Sequence, residues 1–367
     1  MKVLVTGALG SIGRATVARL IRHGHEALAL DRLAETDVDQ DVWDAVKGAE
    51  YRQVDTRDFD SLTPHFAGSD AVIHLAAIPH PSMGTEVEVF DTNCRGAFNV
   101  YRAAADAGIK RVVSASSINA LGYGMGVKGF PIRYLPMDEE HPMMTSDPYS
   151  FSKQMLEETA AYFWRREGIS GVSIRFPFVL YPTSHWAERV KQFLSFRLQA
   201  VDELMALPET ERRARIDPLV AEAEAERAER PQEIPWAERR RQHETREGKR
   251  RGPRRGPPRP GDAPPPPERM LMFGRRDFWS IIHGENAAQA LELGVTADYE
   301  GSHPLYVSDR HNSVGGSSQQ LVELFYPEVT TWKRPVTGSE TLLSYDRARE
   351  LIGYEPEESL LAWSAEG

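Results

Sequence analysis

The amino-acid sequence predicts an α/β chain: a doubly wound parallel sheet, a smaller C-terminal portion, and a polar, partly disordered insertion. Three observations carry this. Over residues 1–115, short apolar runs alternate with stretches of helical spacing. Strands that are apolar throughout, rather than alternately, belong to a parallel sheet covered on both faces. The helical stretches end on glycines, the usual stop signal. The composition then changes between Pro208 and Arg269, where 62 residues hold 12 of the chain's 25 prolines, 16 Lys+Arg and 13 Asp+Glu.

The elements follow in order. Val3-Leu4-Val5 reads as the first strand and Ile12–His23 as the first helix, stopped by Gly24. Ala27–Leu30 and Ala71–Leu75 are the next strands, and Cys94–Ala107 is a helix stopped by Gly108. Arg111–Ser114 is a strand, Ser150–Glu167 a helix, and Val172–Phe176 a further strand. This is repeated βαβ, hence a doubly wound domain over 1–182. Residues 183–367 form mainly a second portion containing an insertion at about 185–269. In it, Ala221–Arg227 reads as a solvated helix, and Arg250–Pro258 is too rich in arginine and proline to pack a core. The glycine-rich stretch Gly122–Pro136 reads as a mobile loop.

Composition excludes several classes. With 41% hydrophobic residues in 367, the chain has enough apolar material for a sizeable core. A net charge of −10 disfavours nucleic acid or anionic membrane as a general partner. The tract Arg239–Arg259 has 10 positive against two negative residues but no interleaved aromatics, so a solvated insertion is the favoured reading. Cys94 is the single cysteine, and the 11 histidines show no metal-ligand spacing, so no metal is expected. No run of 18 apolar residues occurs, and a strand at Lys2–Val5 leaves no room for a signal peptide. A cytoplasmic protein without a membrane partner is expected.

Thr6-Gly7-Ala8-Leu9-Gly10-Ser11-Ile12-Gly13 is a GxxGxxG turn between a strand and a helix. Gly7 permits the tight turn, Gly10 the approach of a pyrophosphate, and Gly13 close packing of helix on strand. The helix start offers free N–H groups to the anion. Asp31 lies 18 positions beyond Gly13, where a carboxylate takes the ribose hydroxyls. That acid favours NAD, while Arg32 leaves NADP open.

Tyr149 and Lys153 form a YxxxK pair, which one helix face brings together. The ammonium is expected to lower the phenol's pKa from its reference near about 10. With the turn, these residues resemble the extended short-chain dehydrogenase/reductase superfamily, of the NAD-dependent epimerase/dehydratase type, over about 1–182 and 270–356. Further segments match: Asp55 in Val54–Asp58, His74-Leu75-Ala76-Ala77, Asn93 in Asp91–Gly96, Ser114–Gly122, and Asp346–Pro356. The resemblance implies a Rossmann-type fold with a smaller substrate domain. It assigns catalysis to Ser117, Tyr149 and Lys153. It implies cofactor contacts from Gly7, Gly10, Ser11, Ile12 and Gly13, from Asp31, Arg32, Asp55 and Thr56, and from Leu75, Ala76, Ala77, Asn93 and Phe176, besides Tyr149 and Lys153. It also implies a homodimer through the two long helices.

Two departures narrow the reaction. Ile118 and Asn119 stand where 4,6-dehydratases of this superfamily carry an Asp-Glu pair, and Phe178 stands where many nucleotide-sugar epimerases carry an asparagine. Ser116, Asn119, His80 and Phe178 are the candidate substrate contacts. The expected function is NAD(P)-dependent hydride transfer at a hydroxyl-bearing carbon of a sugar or sugar derivative, by an epimerase or dehydrogenase. A ketone or alcohol reductase outside sugar metabolism is the alternative, and a non-catalytic dinucleotide sensor is a third.

Overall fold

In a computed structural model of the chain, residues 1–181, 187–229, 233–238 and 266–365 are described. The first half supplies β1 (Lys2–Thr6), α1 (Ser11–Arg22), β2 (Glu26–Asp31), α2 (Gln40–Ala45), β3 (Glu50–Gln53), α3 (Phe59–Leu62), β4 (Ala71–His74), α4 (Glu86–Phe90), α5 (Gly96–Asp106) and β5 (Val112–Ser117). Then come α6 (Pro148–Glu167), β6 (Gly171–Phe176), β7 (Phe178–Leu180), α7 (Ala187–Met205) and α8 (Glu209–Ala228). The remainder holds α9 (Pro267–Met272), β8 (Ile281–His283), α10 (Gly284–Thr296), β9 (Ser302–Tyr306), α11 (Ser318–Phe325) and α12 (Asp346–Ile352).

Seven parallel strands lie in the order β3-β2-β1-β4-β5-β6-β9. Successive residues of β1 face opposite cores. Val3 and Val5 join Val17, Leu20 and Leu291 on one side, against α1 and α10. Leu4 joins Val72, Tyr101 and Phe163 on the other, against α5 and α6. Both faces are dry, which is why the central strands read as unbroken apolar runs. β1 lies between β2 and β4, so the connection direction reverses there and opens a crevice at the C-terminal strand ends.

A second core gathers residues from distant parts of the chain: Leu121 and Tyr123, Val201 and Leu204 of α7, Ile216 of α8, and Trp279, Phe325 and Leu342. The two packing units do not part at residue 182. β9 completes the main sheet and α10 packs on α1, although both follow the insertion.

The solvated helix expected at Ala221–Arg227 is longer and partly buried. α8 buries Ile216 and Arg227, and Arg227 donates to the carbonyls of Tyr123 and Gly126 while pairing with Glu224 at 2.7 Å. The stretch expected to be a mobile loop is thereby fastened, with Tyr123 stacked on Phe278 at 5.6 Å. The Arg239–Arg259 tract, which contains the Arg250–Pro258 stretch read as unable to pack a core, lies outside the described residues. Among the described residues no helix is long and apolar enough to cross a membrane.

Candidate active site

The turn after β1 is built as its glycines require. Gly7 has φ +70°, and a Cβ there would stand 2.6 Å from the Ala76 nitrogen. A Cβ on Gly13 would come within 2.3 Å of the Gly7 carbonyl oxygen. Gly10 begins α1 without a side-chain cap, so the amides of Ser11, Ile12 and Gly13 have no acceptor within the helix. Asp31, at the end of β2, accepts from the Leu9 amide at 3.1 Å, which sets its carboxylate against the turn. Leu75, Ala76 and Ala77 leave β4 alongside, and the Leu75 and Ala76 amides lie 3.3 and 3.4 Å from Thr6 Oγ1. A cradle that a Cβ would fill, an uncapped helix start and an adjacent acid fit the pyrophosphate and ribose of a dinucleotide.

Asp55 is held below its ordinary pKa by hydrogen bonds from the Arg57 side chain, with Thr56 buried beside it. The guanidinium of Arg32 lies 4.4 Å from the centroid of Trp236. Phe176 pairs in register with Ser117 and is buried in the first core.

β5 ends on Ser117. Asp147 caps α6 by accepting from the Ser150 amide at 2.9 Å, and Pro148 opens the helix. The cap and proline set the start of α6, which presents Tyr149 to Ser117 and Lys153 one turn later. Ser117 lies near enough to the Tyr149 phenol to favour its ionised form as a hydrogen-bond donor. Lys153 Nζ donates to the Ala115 carbonyl at 2.6 Å and lies 5.7 Å from the Tyr149 ring centroid. All three side chains are buried. The electrostatics correct one expectation. Burial pushes the Tyr149 phenol up to about 12, the Ser117 hydrogen bond opposes this, and the charges of Asp147 and Asp277 add to it. Lys153 does not reverse the shift: its ammonium is turned toward the Ala115 carbonyl, and burial brings its own pKa down to about 8.

The remaining candidates divide. Asn119 joins the cluster: its amide donates to Ser117 Oγ at 3.1 Å, and its buried Oδ1 has no hydrogen-bond partner among the described residues. Asn93 acts as a tie. Its Oδ1 accepts from the Ile78 amide at 2.7 Å and its Nδ2 donates to Ser152 Oγ at 2.9 Å, joining the loop after β4 to the YxxxK helix. Ser116 is not brought to the cluster, because its Oγ donates to Glu157 at 2.6 Å. His80 caps its own turn, Nδ1 accepting from the Ser82 amide at 3.1 Å. Phe178 is 54% exposed at the start of β7.

Asp277 was not legible in the sequence. It lies just past the insertion, in Arg275-Arg276-Asp277, with no spacing that marks it. Folding sets it within electrostatic reach of Tyr149 and against Gly124, where a Cβ would come within 2.3 Å of Asn119 Oδ1 and 3.0 Å of Asp277 Oδ1. Burial raises its pKa to about 6.

The sequence pattern of the NAD dependent epimerase/dehydratase family matches residues 3–207. The chain belongs to this family. It is accordingly an enzyme of the epimerase and dehydrogenase type, with NAD as cofactor. It is 34% identical over 185 residues to an L-arabinose 1-dehydrogenase (NAD(P)(+)) of Haloferax volcanii, a match covering 49% of this chain and 67% of that protein. It is 32% identical over 177 residues to a putative UDP-glucose 4-epimerase of Methanocaldococcus jannaschii, covering 47% and 54%. The chain thus spans about half to two thirds of these relatives' lengths. In fold it is similar to MoeE5 in complex with UDP-glucuronic acid and NAD, with a TM-score of 0.58 at 19% identity over 100% of this chain and 97% of that one.

Proposed function

We propose that the protein catalyses NAD(P)-dependent hydride transfer at a hydroxyl-bearing carbon of a sugar or sugar derivative. The convergence of Ser117, Tyr149 and Lys153 beside the crevice at the glycine turn carries this reading. Bound across the turn, NAD supplies the site that takes up or returns the hydride. The phenol of Tyr149 exchanges a proton with the substrate oxygen, and Ser117 Oγ hydrogen-bonds that same oxygen. Lys153, cationic below about pH 8, holds positive charge under the phenol and binds the nicotinamide ribose. Asn119 Oδ1 and the Asp277 carboxylate are acceptors, which suits a substrate rich in hydroxyl donors. Water elimination is disfavoured, since Ile118 is packed into the second core and Asn119 is an amide. The reading includes pairing of two copies through α5 and α6, where Phe98, Phe151 and Tyr162 are exposed, with Phe90 at the end of α4 exposed beside them.

The test is a panel of free sugars, sugar acids and nucleotide sugars, followed by nicotinamide absorbance and by product analysis, which also detects redox-neutral epimerisation. Tyr149→Phe is expected to lower turnover by about 10²–10⁴-fold while NAD affinity stays within about twofold of wild type. Full activity in that variant would sink the mechanism.

A further inference from the structure

We propose that residues 233–238, part of the insertion, form a strap over the adenosine half of the cofactor crevice, with Trp236 as its contact residue. This rests on the dinucleotide site assigned above. The segment is anchored to α4 by two hydrogen bonds: the Glu233 carboxylate accepts from the Glu86 amide at 3.3 Å, and the Trp236 amide donates to the Glu88 carboxylate at 3.3 Å. Glu88 is itself fixed, because it accepts from the Thr85 amide at 2.8 Å and completes a capping box. The indole then lies between the exit of β2 and a small apolar cluster. On one side it covers the guanidinium of Arg32, the residue after β2, at 4.4 Å. On the other it packs against the cluster of Ile78, Val89 and Tyr149, whose Ile78 follows β4. β1 lies between β2 and β4 in the sheet, so an indole set between Arg32 and this cluster stands on the side of the crevice where the glycine turn begins.

Arg32 adjoins Asp31, the acid assigned to the ribose, so the strap's contact with Arg32 lies at the adenosine end, while its inner edge meets the cluster that contains Tyr149. An aromatic ring fixed by a stacked cation and two hydrogen bonds of its segment adds apolar cover to a ligand held beneath it and slows that ligand's escape. Helices α7 and α8 build the second core while the segment that follows returns to the cofactor.

The test is calorimetry on the full-length chain with NAD, ADP-ribose and nicotinamide mononucleotide, together with dissociation rates measured by displacement. Trp236→Ala is expected to bind NAD and ADP-ribose about 5–20-fold more weakly, through faster dissociation, with the mononucleotide unaffected. Trp236→Phe, which keeps a ring, is expected to retain most of the affinity, and unchanged circular dichroism checks the fold of both variants. Unchanged binding in Trp236→Ala overturns the strap. So does tighter binding, which would make the indole an occupant of the crevice. A wild-type chain that binds neither NAD nor ADP-ribose overturns the dinucleotide site, and the strap with it.

Discussion

Tyr149 is a neutral phenol at physiological pH in this site, because burial and two neighbouring carboxylates outweigh the hydrogen bond from Ser117. A neutral phenol gives its proton to a carbonyl oxygen at any pH below about 12, whereas taking a proton from an alcohol requires the phenolate. The two reaction directions should therefore differ in pH dependence. Both directions lose the Lys153 charge above about pH 8, so it is the ratio of oxidation to reduction rate that is expected to rise between about pH 7 and 9, as initial rates in each direction would reveal. Asp277 is ionised above its pKa of about 6 and opposes the phenolate. Asp277→Asn removes that charge, so the rise in this ratio should move to lower pH; a profile left in place would show that the carboxylate does not act on Tyr149. None of this was legible at Asp277 itself, since its influence comes from a fold-dependent approach to Gly124.

At the scale of elements, the turn between β1 and α1 combines a positive φ with contacts closer than any side chain tolerates. Gly7→Ala is expected to destabilise the fold by about 2–5 kcal/mol, from left-handed backbone strain together with overpacking against Ala76, and to abolish measurable NAD binding. Chemical denaturation and calorimetry check the two effects. The same turn was readable in the sequence because its demands are local. The strands tell a complementary story. β1, β2, β4 and the start of β5 announce themselves as apolar runs, since both faces of the sheet are covered there, and β6 by Val172, Ile174 and Phe176. β3 (Glu-Tyr-Arg-Gln) and β9 (Ser-His-Pro-Leu-Tyr) do not. They are the two edges of the sheet, where solvent meets the strand and polar residues or a proline are tolerated. Helix α8 is largely solvated, as its many charges suggest, and departs from that reading at Ile216 and Arg227, which are buried; one guanidinium nitrogen of Arg227 donates to backbone carbonyls of the glycine-rich stretch.

For the whole molecule, the exposed aromatics of α4, α5 and α6 form one apolar stripe. Phe90 stacks with Phe151 at 6.1 Å and Phe98 with Tyr162 at 6.3 Å, all at the surface. Contiguous exposed apolar surface of this kind marks an association face. The wild-type chain is expected to elute as a dimer in light-scattering chromatography at micromolar concentration, and Phe98→Glu with Phe151→Glu as a monomer; a monomeric wild type would remove the stripe from consideration.

By itself the sequence determined the βαβ layout, the cofactor turn and the YxxxK pair, because each rests on spacing and backbone demands confined to a few neighbouring residues. Only the tertiary structure decided that Asn93 is a tie and Ser116 a partner of Glu157, that Asp277 opposes the phenolate, that the glycine-rich stretch is clamped by α8, and that Trp236 covers Arg32. These depend on which groups share a buried space. Desolvation and Coulombic interactions act across space, so residues more than a hundred positions apart set the character of the site.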